Sequence, residues 1–192
     1  MSRPGAPVPC VLVLGLLRSP TARREAVLAA VAQRFGPVGA ATGEEPFVQS
    51  RYYHAEMGDG LLRSYVALEG LRDPRELAGL KVAANALEAA WAGPGGRVVN
   101  ADPGLLNLTQ VVLASGKPAA HRVYLGQGIY AEVELIFERG SFRPLPWTYP
   151  DYRDPRVIAF FDQVRESHKR RLRSAAASFS NGQRTTSNGP TP

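Results

Sequence analysis

The chain holds a single cysteine and three histidines in 192 residues. One thiol cannot close an internal disulfide, and Cys10 sits among apolar neighbours, so it reads as a small buried hydrophobe in a reducing, cytoplasmic setting. His54, His121 and His168 are scattered, so no Cys/His zinc spacing exists and no metal site is expected. Long apolar runs are missing too. The most apolar stretch, Val8 to Leu17, is too short to span a bilayer, and no small-residue cleavage site directly follows it as a signal peptide would require. There is no glycine-lysine phosphate loop and no G-x-G-x-x-G, and no cofactor is named by any motif. Finally, the folded part lacks a charge excess. The net charge is +6, yet residues 1–164 carry 17 basic and 16 acidic side chains, against 6 and 1 in residues 165–192. A basic tail on a neutral body argues against an extended phosphate-tracking surface.

What is present is ordinary apolar content with both charge signs, enough for one globular domain with its own core. Composition divides the chain into a flexible start at 1–7, a globular domain at 8–173 and a disordered basic and polar tail at 174–192, where hydrophobic spacing vanishes. The unbroken run Cys10–Leu16 suits a strand buried on both faces. Ser19-Pro20 then predicts a helix start, and Ala22 through Phe35 keep a helical period up to Gly36-Pro37. A short strand is expected at 38–42 and a second major strand at 61–68. Asp73-Pro74-Arg75-Glu76 is a capping box with proline at the first helical position, followed by the core stripe Leu77, Leu80, Ala84, Leu87 and Trp91. A strand at 97–100 completes the order strand, helix, strand, strand, helix, strand of a ferredoxin-like split unit. Residues 105–115 read as a short helix, entered through Asp102-Pro103. Beyond them a hairpin closes over Gly126-Gln127-Gly128, a last strand follows at 142–145, and Asp154-Pro155 opens a third helix. The fold class is α+β: a mixed, mostly antiparallel sheet with two or three packed helices, a ferredoxin-like unit and a C-terminal β-hairpin and helix.

Several groups of residues carry chemistry. Pairing across the hairpin sets Tyr124 against Tyr130 and Arg122 against Glu132 on a polar face, while His121 falls on the apolar side at the open end. An ion pair beside an aromatic pair is a normal sheet stabiliser. The same residues also suit a site, with His121 and Glu132 as the acid/base candidates. Lys81, Asn85 and Glu88 form a polar stripe beside the core stripe, where Lys81 can hold an anion or simply face solvent. Asp102 ends a strand as a ligand for a polar group or as one more Asp-Pro cap. The stretch Tyr52-Tyr53-His54-Ala55-Glu56 puts Tyr53 and Glu56 in an irregular segment of the kind that carries function. Residues 146–152, PWTYPDY, stiffen a loop with two prolines and load it with Trp147, Tyr149, Asp151 and Tyr152. The rings either wall a cleft over the hairpin or plug the core before the third helix.

The stretches YYHAEMG, NADPGLL, HRVYLGQGIYAEVEL and PWTYPDY, in this order, resemble the bacterial family called domain of unknown function 4416, over roughly Val11 to Arg165. The resemblance implies no reaction. Its pattern carries an aromatic after the glycine of the Asp-Pro-Gly motif, where this chain has Leu105, so no ring-stacking role is expected there. Two function classes follow. One is a soluble protein with a cleft for a small polar or anionic ligand, with or without a reaction. The other is a non-enzymatic module that engages RNA or a protein through the aromatic loop and the basic tail.

Overall fold

The structure is a computed structural model that describes the backbone of residues 3–184 and the side chains of residues 3–174. Residues 3–9 have no regular structure. In chain order the elements are β1 (Val11–Arg18), α1 (Arg24–Phe35), β2 (Val38–Ala41), β3 (Glu45–Pro46), the single turn α2 (His54–Met57), β4 (Leu62–Leu68) and α3 (Leu77–Ala90). They continue with β5 (Ala92–Gly93), β6 (Gly96–Arg97), β7 (Val99–Leu106), β8 (Gln110–Ser115), β9 (Val123–Gly126), β10 (Ile129–Glu138), β11 (Ser141–Pro144) and α4 (Pro155–Arg184).

The apolar run of β1 is explained by its place in the middle. The main sheet has the order β11-β10-β8-β7-β1-β4-β2. Leu12, Leu14 and Leu16 point to one face and pack with Val27, Val31 and Phe35 of α1 and with Leu77, Leu80, Ala84 and Leu87 of α3. Val11 and Val13 point to the other, where Phe160, Phe161 and Val164 of α4 cover them together with Tyr65 and Tyr152. A strand clad by helices on both faces cannot alternate with polar residues.

Through β7 the order β7-β1-β4-β2, with every neighbour antiparallel, is the expected ferredoxin-like arrangement. The sheet is not mixed: all pairings among the described strands are antiparallel. The capping box is formed, with the Asp73 carboxylate accepting from the Arg75 amide at 2.8 Å and Glu76 accepting from the Asp73 amide at 2.9 Å.

Three local expectations need correction. Residues 105–115 are not a helix but the end of β7, a tight turn and β8, whose chain reversal is tied by Asn107 Oδ1 accepting from the amides of Thr109 and Gln110 at 2.8 and 2.9 Å. Asp102-Pro103 caps nothing, because it lies inside β7. Ser19-Pro20 makes a turn, and α1 begins only at Arg24. The expected tail starts inside α4, whose backbone is helical to Arg184, and residues 185–192 lie outside the described residues. Among the described residues no helix is long and apolar enough to cross a membrane.

Candidate functional site

One proline opens the sheet. The β7–β8 ladder pairs Gly104, Leu105 and Leu106 with Leu113, Val112 and Val111, and stops at the residue before Gly104, which is Pro103. Proline has no N–H to offer a ladder. Residues Val99–Pro103 therefore keep β1 on one side only, while β8 turns away to pair with β10. Lys81, on the helix that packs against β7 and β8, reaches the open edge and donates to the Ala101 carbonyl at 3.0 Å.

Register then decides which side chains meet there. Gly15 lies opposite Asp102 on one flank and Tyr65 on the other, and Leu17 lies opposite Asn100 and Arg63. Directly paired residues share a face of a sheet. Gly104 pairs with Leu113 and Leu113 with Glu132, so Glu132 belongs to the same face. The result is a cleft of about 530 Å³ with Arg63, Asn100, Asp102, Leu113 and Glu132 in its floor. Phe47–Tyr53 forms one wall, Tyr149–Tyr152 another, and Ser115–Lys117 closes an end.

Charges in the floor are matched in pairs. Arg63 Nε meets Asp151 at 2.8 Å, and the Tyr65 hydroxyl donates to the same carboxylate at 2.8 Å. Lys81 contacts Asp102 at 3.2 Å and Glu88 at 3.5 Å, and Asn100 donates to Asp102 at 2.7 Å. Glu88 also accepts from the Ala101 amide at 2.9 Å and from Arg97. Burial alone would raise the Asp102 carboxyl, but the charges of Lys81 and Arg63 and the hydrogen bonds from Lys81 and Asn100 outweigh it and hold the carboxyl below its usual range. Burial likewise pushes the phenols of Tyr53, Tyr65 and Tyr152 up, so each is a neutral donor at physiological pH.

The sequence-based candidates separate into two groups. Tyr53, Lys81, Asn85, Asp102, Glu132, Tyr149 and Asp151 all line the cleft. His121, Arg122, Tyr124, Tyr130, Trp147 and Glu56 do not. Arg122 is committed elsewhere: it forks onto Glu132 at 3.1 Å through two nitrogens and donates to Ser115, the Lys117 carbonyl and the Tyr149 hydroxyl. Glu56 pairs with Arg97 at 3.0 Å. Tyr124 and Tyr130 pack on each other with ring centres 5.2 Å apart, as the predicted register requires.

His121 is not on the apolar side. It precedes β9, outside the alternation of the strand, where it meets Glu132 at 2.8 Å and stacks on Trp147 with ring centres 5.3 Å apart. Strand alternation would set Glu134 on the polar face with Tyr130 and Glu132, and it is not there. A bulge between Val133 and Leu135 turns Glu134 inward, where it is fully buried under the PWTYPDY loop. Tyr152 puts its ring in the core against Phe161, and Leu105 is a core residue.

Arg63, Asn100, Arg97 and Lys117 were missed by sequence reasoning and line the cleft. Arg63 had a readable signal, a lone arginine in the apolar strand Leu62–Leu68. Among the described residues no group of three or more His, Cys, Asp or Glu is placed to hold a metal ion.

The profile of the family described as Domain of unknown function (DUF4416) matches residues 8–168. The chain belongs to the DUF4416 family. That span takes in every residue of the cleft and the first 14 of the 30 residues of α4. No curated protein and no solved structure matches the chain.

Proposed function

We propose that this DUF4416 protein binds a small polar or anionic ligand in the cleft between the PWTYPDY loop and residues 47–53. The observation that carries this reading is the placement of Arg63, Lys81, Asp102 and Asp151. All four are drawn from separate elements into the lining of one concavity. Burying ion pairs gains little or no stability over apolar residues of similar volume, so a cluster of them facing a cleft points to a ligand. The size lies within the range of small-molecule sites. Should the ligand also react, Glu132 is the group in the floor with a histidine behind it, and His121 is its proton partner. Three donated contacts already hold Glu132, which leaves about one lone-pair site for a ligand.

A thermal-shift screen against nucleotides, sugar phosphates, amino acids and divalent metals tests the reading. Ligand at about 100 times its Kd adds roughly 2.7 kcal/mol to the folded state. Gly116→Trp is the control. Gly116 lines the cleft and a Cβ there meets nothing within 4 Å, so the position has room for a side chain, and the bulk of an indole at this edge is expected to obstruct the cleft. Shifts that Gly116→Trp abolishes support the proposal. No shift with any compound, together with salt-sensitive RNA binding that disappears when Lys169, Arg170, Arg171 and Arg173 are removed, would replace it with the nucleic-acid module.

A further inference from the structure

Arg63 is an arginine used at one nitrogen only. Its Nε serves Asp151 and lies 3.3 Å from the Tyr65 hydroxyl. Nη1 is 3.7 Å from an Asp102 carboxylate oxygen, which is too far for a hydrogen bond. Neither Nη1 nor Nη2 has a hydrogen-bond acceptor among the described residues. Yet the side chain is only 10 % exposed. A guanidinium so nearly enclosed, with no acceptor at either terminal nitrogen, needs a reason. Beside this fork lies a second orphan, the Tyr152 hydroxyl, buried with no hydrogen-bond partner. Nη2 and that hydroxyl both crowd the space above Gly15, at 2.7 and 2.8 Å from where a Cβ would stand. The guanidinium is fixed over the rings of Tyr65 and Tyr152, 5.0 and 5.7 Å from their centres.

Resting on the cleft reading above, we propose that this end of the cleft is a carboxylate subsite, in which the two terminal nitrogens of Arg63 and the Tyr152 hydroxyl receive the acid group of the ligand. Geometry favours a planar acceptor, because a guanidinium edge and a carboxylate match as a fork. Charge limits it to a single negative. Arg63 and Lys81 are already paired with Asp151 and Asp102, so at this end the second charge of a phosphate dianion would meet two carboxylates. Lys117, the lining cation without a carboxylate partner among the described residues, lies against Tyr52 at the end closed by Ser115–Lys117. A neutral amide would set N–H against N–H. The rings of Phe47 and Tyr53 in the adjoining wall, in edge contact at 6.0 Å, accept the apolar part of the ligand.

The test is a titration by calorimetry of the full-length chain with benzoate, benzamide and phenyl phosphate. Arg63→Ala would leave Asp151 buried without a cation and is destabilised for that reason alone, so the decisive variant is Tyr152→Phe. It deletes only an unpartnered oxygen and melts at or above the parent. Benzoate is expected to bind at least tenfold more tightly than either competitor, and Tyr152→Phe to weaken benzoate by about tenfold, the usual cost of a lost hydrogen bond to a charged group. Gly116→Trp removes the binding. Equal affinity for benzamide, tighter binding of phenyl phosphate, or a Tyr152→Phe variant that binds as the parent overturns the carboxylate subsite. Failure of benzoate while another compound of the screen binds, sensitive to Gly116→Trp, overturns this inference and leaves the cleft reading standing. Failure of every compound overturns both.

Discussion

Replacing Glu134 by glutamine should turn a pH-dependent protein into one that resists alkali better. The Glu134 carboxyl is fully buried, with Oε1 accepting from the Tyr149 amide at 2.5 Å and Oε2 without a partner. Burial raises it from an ordinary 4.5 to about 8; the charges of Glu132 and Asp151 push the same way, against the Tyr149 N–H and Arg122. At about 1.36 kcal/mol per pKa unit, that displacement is worth roughly 5 kcal/mol. The sign follows from proton counts. Between the two values the native state holds a proton that the unfolded chain has lost, so stability falls as pH rises. The contribution is whole below about 4.5, declines across the interval and is gone above about 8. Glutamine cannot ionise, keeps an oxygen for the Tyr149 amide, and leaves one buried N–H group unpaired at a cost of about 1 to 3 kcal/mol. Urea unfolding of parent and variant at pH 5, 7 and 9 gives the difference directly, with other titrations cancelling. The variant should be the less stable at pH 5 and the more stable at pH 9. Parallel stability curves would show that Glu134 does not titrate in the folded protein in this range, and would refute the reasoning.

Two further changes probe the remaining strained or unpaired positions. Gly15→Ala places a methyl 2.7 Å from Arg63 Nη2 and 2.8 Å from the Tyr152 hydroxyl, and should cost about 1 to 3 kcal/mol in urea unfolding while displacing the arginine. A melting temperature equal to the parent's would mean that Arg63 moves freely. His168 is fully buried, neither ring nitrogen has a side-chain partner among the described residues, and burial lowers its pKa below the usual value against an opposing backbone contact from Pro9. Its neutral form is therefore favoured above about pH 6.5, and stability is lost as pH falls below it. His168→Leu should remove that part of the acid sensitivity, so that the difference in Tm between parent and variant grows from pH 7 to pH 5.

The sequence was readable where contacts are local. The capping box at Asp73, the two-faced burial of β1 and the hairpin pairing of Tyr124 with Tyr130 each depend on residues a few positions apart, whose geometry the chain itself dictates. The floor of the cleft is different. Asp102-Pro103 has the same local form as the two real helix starts, and only the neighbouring strands make Pro103 the end of a ladder. Arg63 is conspicuous as a lone arginine in an apolar strand, but nothing nearby shows that Asp151, 88 positions later, will lie 2.8 Å from it. Glu134 follows the alternation of its strand until a bulge, which no residue type announces, turns it inward. Seven of the sequence-based candidates do converge on one cleft, because tyrosines and prolines in irregular segments and polar residues beside a core stripe mark where the fold leaves a concavity.

The aromatic content of the PWTYPDY loop now has a physical account. Trp147 donates to the Val133 carbonyl at 2.8 Å, Thr148 to the Glu134 carbonyl at 2.5 Å, and the Tyr149 amide to the Glu134 carboxyl, so three consecutive residues satisfy the backbone and side chain freed by the bulge. Two residues on, Asp151 holds Arg63, and Tyr152 carries the loop into the core against Phe161. The loop is short and stiffened by proline, so little entropy is lost in ordering it. Its two ends join the bulge of β10 to the arginine of β4, across the gap that Pro103 leaves in the sheet. A loop tied at both ends by buried hydrogen bonds is a fixed wall, and the cleft is therefore formed before any ligand arrives, which is the condition for an affinity not spent on ordering the site.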